Sequence, residues 1–358
     1  MIKVLISITS QFGYHTDTYM YCKYLDKAKY EVHYVGFDGG YPRRELEDVQ
    51  VHYISVKKNK LVRYWNYLTT INKLIRQEKF ELLFLVDCQG SLMIRLCNLG
   101  RKTIMDIRTG FLQNSNMKRK ISNSFIWFTS LFFKNLSIIS LSLQQKLHIP
   151  ATKTTIIPLG AETNDIAAKK FDDLRLFYIG DLSDRRIDET VTGLAEFIQK
   201  HDKKIKITYD IVGFGGDDKI NLLKKTIRDN NLENIVTFHG RKNHDEVRSL
   251  FEKCNIGVVY VPVTDWFNCQ PSTKLYECLL AGMAVIATDT LENRLELNKN
   301  CGVLIEDSPQ AFAEGLKQIV NNLNSYNSNT IRLQYEKSTW NNIVNNQLDT
   351  FFQKIINK

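Results

Sequence analysis

Short runs of β-branched and other apolar residues recur along the 358-residue chain, separated by stretches with apolar residues at helical spacing. Ile2–Ile8, Glu31–Phe37, Val51–Val56, Leu82–Val86 and Lys102–Ile107 read as strands, with helices predicted near Thr18–Lys27, Trp65–Gln77 and Ser91–Leu99. Ser137–Ser142 and Thr155–Pro158 read as two further strands. A second series begins at Leu174–Ile179 and continues through strands Ile205–Val212, Ile235–His239, Ile256–Val261, Ala284–Ala287 and Gly302–Ile305. Its helices are predicted over Glu189–Lys200, Lys219–Asn230, Asp245–Lys253, Thr273–Ala281 and Pro309–Asn322. Unbroken apolar runs such as Ile2–Ile8 suit parallel strands covered on both faces. Strand–helix alternation predicts open doubly wound α/β sheets, whose ligands lie beyond the strand C-ends.

The length suits two domains. The expected boundaries are 1–165 and 172–335, with Leu159–Glu162 and the polar Thr163–Asp173 as linker. A third piece, 338–358, carries Trp340, Ile343, Val344, Leu348, Phe351, Phe352 and Ile355 at helical spacing, the pattern of a helix packing one face on the body.

Several function classes are excluded. Seven scattered cysteines contain no C-x-x-C pair, so neither a disulfide framework nor a zinc site is implied, and a reducing cytosol is expected. No Walker lysine loop, H-E-x-x-H or G-x-S-x-G is present. No window reaches the roughly 18 apolar residues of a membrane span, and MIKVLISITS lacks the marks of a signal peptide. Gly213-Phe214-Gly215-Gly216 follows a strand but lacks the third glycine of a dinucleotide loop.

The net charge of +9 is uneven: residues 1–160 hold 23 Lys and Arg against 11 Asp and Glu, and the remainder 25 against 28. A basic N-terminal half suits nucleic acid, an anionic membrane surface or a phosphate-bearing substrate. Within it, three of the four residues Met117–Lys120 are basic, and Phe125, Trp127, Phe128, Phe132 and Phe133 follow. Such a helix either lies at a membrane interface or buries its aromatic residues against the N-terminal sheet.

The stretch Asn268–Asp289 concentrates the chemistry. Pro271 and Ser272 are helix-start signals, with Ser272 placed to cap, and Gly282 suits a left-handed stop. A helix N-terminus offers free amides and partial positive charge to phosphate. Lys274 and Glu277 share a face three residues apart, a cation for a diphosphate and a carboxylate for a diol such as ribose. Elsewhere Gly180, Gly213 and Gly240 stand at expected strand ends, where backbone can approach a ligand, and Arg185 and Arg186 beside the first can pair with phosphate. In the N-terminal half Gly13, His15, Asp87 and Arg108 fall at strand C-ends and are expected to line one cleft.

These marks, in this order, resemble the family 4 retaining glycosyltransferases of the GT-B fold. The resemblance rests on Ile157-Pro158-Leu159-Gly160, Phe177-Tyr178-Ile179-Gly180-Asp181-Leu182, Ile211-Val212-Gly213-Phe214-Gly215, Val236-Thr237-Phe238-His239-Gly240, Pro271-Ser272-Thr273-Lys274-Leu275-Tyr276-Glu277, and Val285-Ile286-Ala287. It implies two facing Rossmann-like domains with parallel sheets, and a C-terminal helix, bearing Trp340, that crosses back to the N-terminal domain. The C-terminal domain would bind a nucleotide-sugar: Glu277 at the ribose, Arg185 or Arg186 and Lys274 with the Ser272 and Thr273 amides at the diphosphate, and the Gly240-Arg241 turn by the base. Gly180, Gly213 and Gly215 would border the donor. The N-terminal domain, through Gly13, His15, Asp87 and Arg108, would face the acceptor. The family often carries an earlier glutamate where this chain has Cys269, which leaves Cys269 and Gln270 as candidates for the donor-sugar contact.

The reaction implied is hexosyl transfer with retention, from a nucleotide-diphosphate sugar to a glycan or lipid-linked acceptor in cell-surface polysaccharide synthesis. Preorganised cations and amides would stabilise charge growing on the leaving diphosphate. No metal and no cofactor are expected, the nucleotide-sugar being a substrate. The expected location is the cytoplasm, with peripheral association at the inner face of the plasma membrane and no nucleic-acid partner. Two rival readings are a nucleotide-sugar epimerase of the same fold, which needs no acceptor, and a non-catalytic binder of anionic surfaces or nucleic acid, whose binding falls steeply with salt.

Overall fold

The computed structural model describes residues 1–56, 59–87, 90–111, 115–162, 166–201, 205–242 and 244–357. Residues 163–165 of the expected linker lie outside these. The chain divides into two compact units, Met1–Leu159 with Trp340–Lys358, and Gly160–Thr339.

The first unit runs β1 (Ile2–Ser7), α1 (Thr16–Tyr24), β2 (Tyr30–Asp38), β3 (Val49–Ser55), α2 (Lys60–Gln77), β4 (Leu82–Val86), α3 (Ser91–Cys97), β5 (Thr103–Ile107), α4 (Asn116–Ser130), β6 (Asn135–Ile138), α5 (Leu141–Lys146) and β7 (Thr154–Ile156). The seven strands are all parallel, in the order β3-β2-β1-β4-β5-β6-β7. Strand order reverses between β1 and β4, the place where such sheets bind ligands. Strands β4 and β5 are buried at every residue, as the unbroken apolar run at Leu82–Val86 requires. The expected strand over Ser137–Ser142 is a correction. It stops at Ile138, because the Ser140 hydroxyl accepts from the Leu143 amide and starts α5.

The second unit runs β8 (Leu174–Asp181), α6 (Ile187–Lys200), β9 (Ile207–Phe214), α7 (Asp217–Asp229), β10 (Val236–Gly240), α8 (His244–Lys253), β11 (Ile256–Val259), α9 (Thr273–Leu280), β12 (Ala284–Thr288), α10 (Leu291–Glu296), β13 (Gly302–Ile305), α11 (Pro309–Asn321) and α12 (Ser328–Tyr335). Its six strands are also parallel, ordered β10-β9-β8-β11-β12-β13, with the reversal between β8 and β11. Helices α10 and α12 were not foreseen. Each is short, and each starts where a Thr290 or Asn327 side chain caps it.

The tail returns to the first unit as α13 (Trp340–Ile343), a π turn over Val344–Leu348, and α14 (Asp349–Ile356). Buried Trp340 meets the edge of Tyr21 at 5.9 Å, and Phe352 lies 5.5 Å from Phe84. Asp349 accepts from the Tyr30 hydroxyl and pairs with Lys29 at 3.1 Å. The π turn adds a residue within one helical run, which keeps Val344 and Leu348 buried along with Phe351 and Phe352. Among the described residues no helix is long and apolar enough to cross a membrane.

Candidate functional site

Helix α9 packs on β11 and β12, beside the reversal of the second sheet. It buries Leu275, Tyr276, Cys278, Leu279 and Leu280, and leaves Lys274 and Glu277 partly exposed. Gly282 stops it with φ +75°, and the Gly282 and Met283 amides return to the Leu279 and Cys278 carbonyls.

The helix start differs from expectation. Ser272 holds the N-cap position in extended conformation, but its hydroxyl makes no cap bond. In the first turn the Leu275 amide donates to the Ser272 carbonyl at 3.1 Å and Lys274 Nζ reaches Thr273 Oγ1 at 3.5 Å, while the Thr273 and Lys274 amides have no partner among the described residues. The sequence assigned Ser272 to satisfy its own helix; the structure leaves those donors open, which suits an external anion better. Lys274 folds toward the end of β8, its Cε 3.3 Å from where a Cβ on Gly180 would stand. Glu277, one turn further on, has no hydrogen bond or ion pair to its carboxylate among the described residues.

The two neighbouring arginines separate clearly. Arg186 is exposed, has φ +48°, and pairs with Glu189 at 3.0 Å and with Asp307. Arg185 is half-buried and stacks 4.3 Å over the Phe267 ring, and its Nη1 has no hydrogen-bond partner. Burial lowers its pKa against the opposing pull of Tyr178, Asp181 and Asp184. Arg186 is thus neutralised in place, whereas Arg185 is a half-buried cation with unused donor capacity. Phe267 carries no sequence signal; it belongs to a single 3-10 turn, Phe267–Cys269, that only the coordinates reveal.

In that same turn the Cys269 thiol is buried, with the Asp265 carbonyl 4.0 Å away. Gln270, next in line, has a buried Nε2 with no partner. Of the two, Gln270 retains the hydrogen-bonding capacity a sugar hydroxyl would use.

The glycines at the strand ends need a correction. Strands β8 and β9 continue as far as Asp181 and Phe214, so Gly180 and Gly213 are paired inside the sheet rather than in loops. A Cβ on Gly213 would come within 2.4 Å of the Gly180 carbonyl oxygen, so the residue is small because a neighbouring strand is close. Gly215 lies against Leu182 less tightly, a Cβ there standing 3.2 Å from the Leu182 Cβ. Beside them the exposed Arg241 lies 4.8 Å over the Phe214 ring, a flat cationic and aromatic surface beyond β9 and β10. Phe214, like Phe267, was not among the residues expected to matter.

In the first unit Gly13 has φ +87° and packs under Arg44. His15 caps α1 by accepting from the Thr18 amide at 3.4 Å, and burial lowers its pKa, which favours the neutral ring. Arg108 is a correction. It is buried, its Nε donates to Asp17 at 2.6 Å and its Nη1 to the Ile157 carbonyl at 2.7 Å, so the guanidinium is spent inside the unit. Asp87, beyond β4, has its pKa pushed up to about 7 by burial and by the charge of Asp106. Asp106 itself is fully buried. Its Oδ1 accepts from Ser137 at 2.7 Å, while its Oδ2 has no partner.

Helix α4 does not bury its aromatic stripe against the sheet. Met117, Ile121, Phe125, Phe128 and Phe132 recur at i, i+4, i+8, i+11 and i+15 and are all exposed, while Asn123, Ile126, Thr129 and Ser130 face inward. The aromatic residues do not form core, with Phe133 the exception.

Residues 173–322 match the family model described as glycosyl transferases group 1. No curated protein matches the sequence. Among solved structures, the lipopolysaccharide outer core galactosyltransferase WaaB in its apo form is similar at TM-score 0.72 and 14% identity, over 99% of this chain and 100% of that one. Anabaena HepE in complex with UDP and glucose gives TM-score 0.72 and 12% identity over 99% and 100%. A mutant of S. aureus TarM in complex with Fondaparinux, alpha-GlcNAc-glycerol and UDP gives 0.72 and 13% over 100% of both chains. At these identities the likeness establishes the fold.

Proposed function

With a GT-B fold and, over residues 173–322, a glycosyl transferases group 1 domain, this chain is a glycosyltransferase, and we propose that it moves a hexose with retention from a nucleotide-diphosphate sugar to a glycan or lipid-linked acceptor in cell-surface polysaccharide synthesis. The observation that carries this reading is the set of unfilled groups around one helix start. These are the open amides of Thr273 and Lys274, the unpaired Nη1 of Arg185 and the unpartnered carboxylate of Glu277.

The roles follow from the charges. The diphosphate lies on the α9 amides, with Arg185 and Lys274 as its cations and Arg186 left to its own acids. Glu277 accepts from the ribose hydroxyls, Gln270 meets the donor sugar, and the Phe214–Arg241 surface lies by the base. As the glycosidic bond breaks, negative charge grows on the diphosphate, where fixed donors oppose it most strongly. The departing phosphate oxygen takes the proton of the acceptor hydroxyl. Acceptor contacts fall to the first unit, around the Gly13 loop, His15 and Asp87, with Arg108 holding their support. UDP is the first nucleotide to try, since two of the similar structures contain it.

The same reading includes peripheral membrane association through α4, whose outward apolar stripe begins beside Lys118, Arg119 and Lys120. The test of the reaction is incubation with a panel of UDP-sugars, with and without a lipid-linked or glycan acceptor. Transfer that requires acceptor and yields the α-linked product from an α-linked donor supports it. Interconversion of the nucleotide-sugar without acceptor overturns it in favour of an epimerase.

A further inference from the structure

A basic pocket lies at the opposite end of the first sheet from the ligand-binding reversal. It has a volume of about 380 Å³ and opens where β5 and β6 begin, at Thr103 and Asn135. Its charged lining is Arg95, Arg101, Lys102 and Lys134, with no acidic residue.

Buried Arg95 builds the pocket rather than filling it. Its Nε donates to the Phe132 carbonyl at 3.0 Å, and its Nη1 to the carbonyls of Asn98 and Leu99 at 3.2 and 3.1 Å. One side chain thereby clamps the end of α3 to the turn that follows α4. Lys102 donates to the Ile356 carbonyl of the tail. Lys153 caps α4 from below through the Ser130 and Phe133 carbonyls. Two cations remain. Exposed Lys134 has no partner among the described residues, and exposed Arg101 has a single bond of 3.5 Å, to the Phe80 carbonyl.

The surroundings indicate what these cations meet. Exposed Leu99 lines the pocket, and exposed Phe132, whose carbonyl Arg95 holds, ends the outward stripe that runs along α4. That stripe is about 22 Å long at 1.5 Å per residue, with Lys118–Lys120 at its other end. Residues 82–161 contain ten Lys and Arg against two Asp, Asp87 and Asp106, neither of them exposed. An apolar strip with cations at both ends complements an anionic bilayer surface.

We propose that this pocket seats the phosphate of an anionic glycerophospholipid headgroup between Arg101 and Lys134, while the α4 stripe lies among the acyl chains beside it. The proposal rests on the membrane reading given above and adds a specific headgroup site to it. A diffuse basic surface would attract anionic lipid without such a site.

The test is flotation of the whole chain with vesicles of phosphatidylcholine containing about 20% phosphatidylglycerol. Four proteins are compared: wild type, Arg101→Ser/Lys134→Ser, Lys118→Ser/Lys120→Ser, and Phe125→Ser/Phe128→Ser. The expected result is that the pocket pair lowers partitioning by more than the roughly thirtyfold of two diffuse surface cations, and by more than the equally charged Lys118/Lys120 pair, and that millimolar glycerol 1-phosphate competes with vesicles for wild type. Equal losses from the two charge pairs overturn the pocket and leave the membrane reading standing. Glycerol 1-phosphate that binds wild type without displacing vesicles marks a free-phosphate site and overturns the lipid assignment. Wild type that stays unbound, or that pairs with a second copy through α4, overturns both.

Discussion

The guanidinium of Arg185 stacks 4.3 Å over the Phe267 ring and keeps its Nη1 unbonded. Its neighbour Arg186 is held by Glu189 and Asp307. The two arginines are adjacent in sequence and opposite in availability. Arg185→Ala is expected to lower kcat/KM by about 10²–10³, the loss typical of a donor aimed at developing charge. Arg186→Ala removes only an exposed ion-pair set and should cost less than about tenfold in rate and about 1 kcal/mol in stability. Steady-state kinetics with a UDP-sugar separate them; equal losses contradict the assignment.

Gly213 is fixed by its neighbour strand. An added methyl would meet the Gly180 carbonyl oxygen at 2.4 Å, and backbone cannot yield cheaply there. Gly213→Ala should destabilise the chain by about 1–3 kcal/mol, read as a lower urea midpoint. Gly215→Ala, which meets only the Leu182 side chain and nearby backbone at 3.2 Å or more, should cost less.

Asp106 makes the first unit sensitive to pH. Burial pushes its pKa up to about 6 against the lowering influence of Arg108 and Ser137. Between pH 4 and 6 the folded carboxyl therefore keeps a proton that the unfolded one has lost. Stability from this group falls as pH rises through that window and reaches its full penalty above it. Asp106→Asn should flatten the slope, so that the variant gains on wild type by up to about 3 kcal/mol between pH 4 and pH 7. Chemical denaturation at a series of pH values reads this, and an unchanged slope contradicts it.

Trp340 anchors the returning tail, buried against the edge of Tyr21. Trp340→Ala should cost about 3–5 kcal/mol and loosen the first unit, seen as lost near-ultraviolet dichroism. Because α9 belongs to the other unit, a nucleotide-induced rise in melting temperature should survive the change.

Much of this was legible in the chain because burial on both faces of a parallel sheet leaves an unmistakable pattern. Leu82–Val86 and Gly302–Ile305 were placed to the residue. The bounds of α9 were legible because Pro271 and Ser272 precede its first residue and Gly282 stops it. What escaped depends on contacts distant in sequence. Phe267 matters only because Arg185 lies over it, and Arg108 turned inward because Asp17 and the Ile157 carbonyl were waiting for it. Gly213 read as ligand chemistry because a close-packed strand and a phosphate loop ask for the same residue. Helix α4 was ambiguous for a different reason: a stripe of Phe at helical spacing reads the same facing inward or outward, and only Asn123, Thr129 and Ser130 on the reverse side settle it.

The decisive measurement is the shift in melting temperature on adding UDP, GDP, ADP or CMP, made in parallel on wild type and Glu277→Ala. One nucleoside diphosphate should raise the wild-type transition, by RT ln(1 + [L]/Kd) in free energy, about 2.7 kcal/mol at a hundredfold excess over Kd, and the rise should vanish in Glu277→Ala. An undiminished rise in the variant, or none in wild type with any of the four, would contradict the assignment of α9 and Glu277 as the nucleotide site.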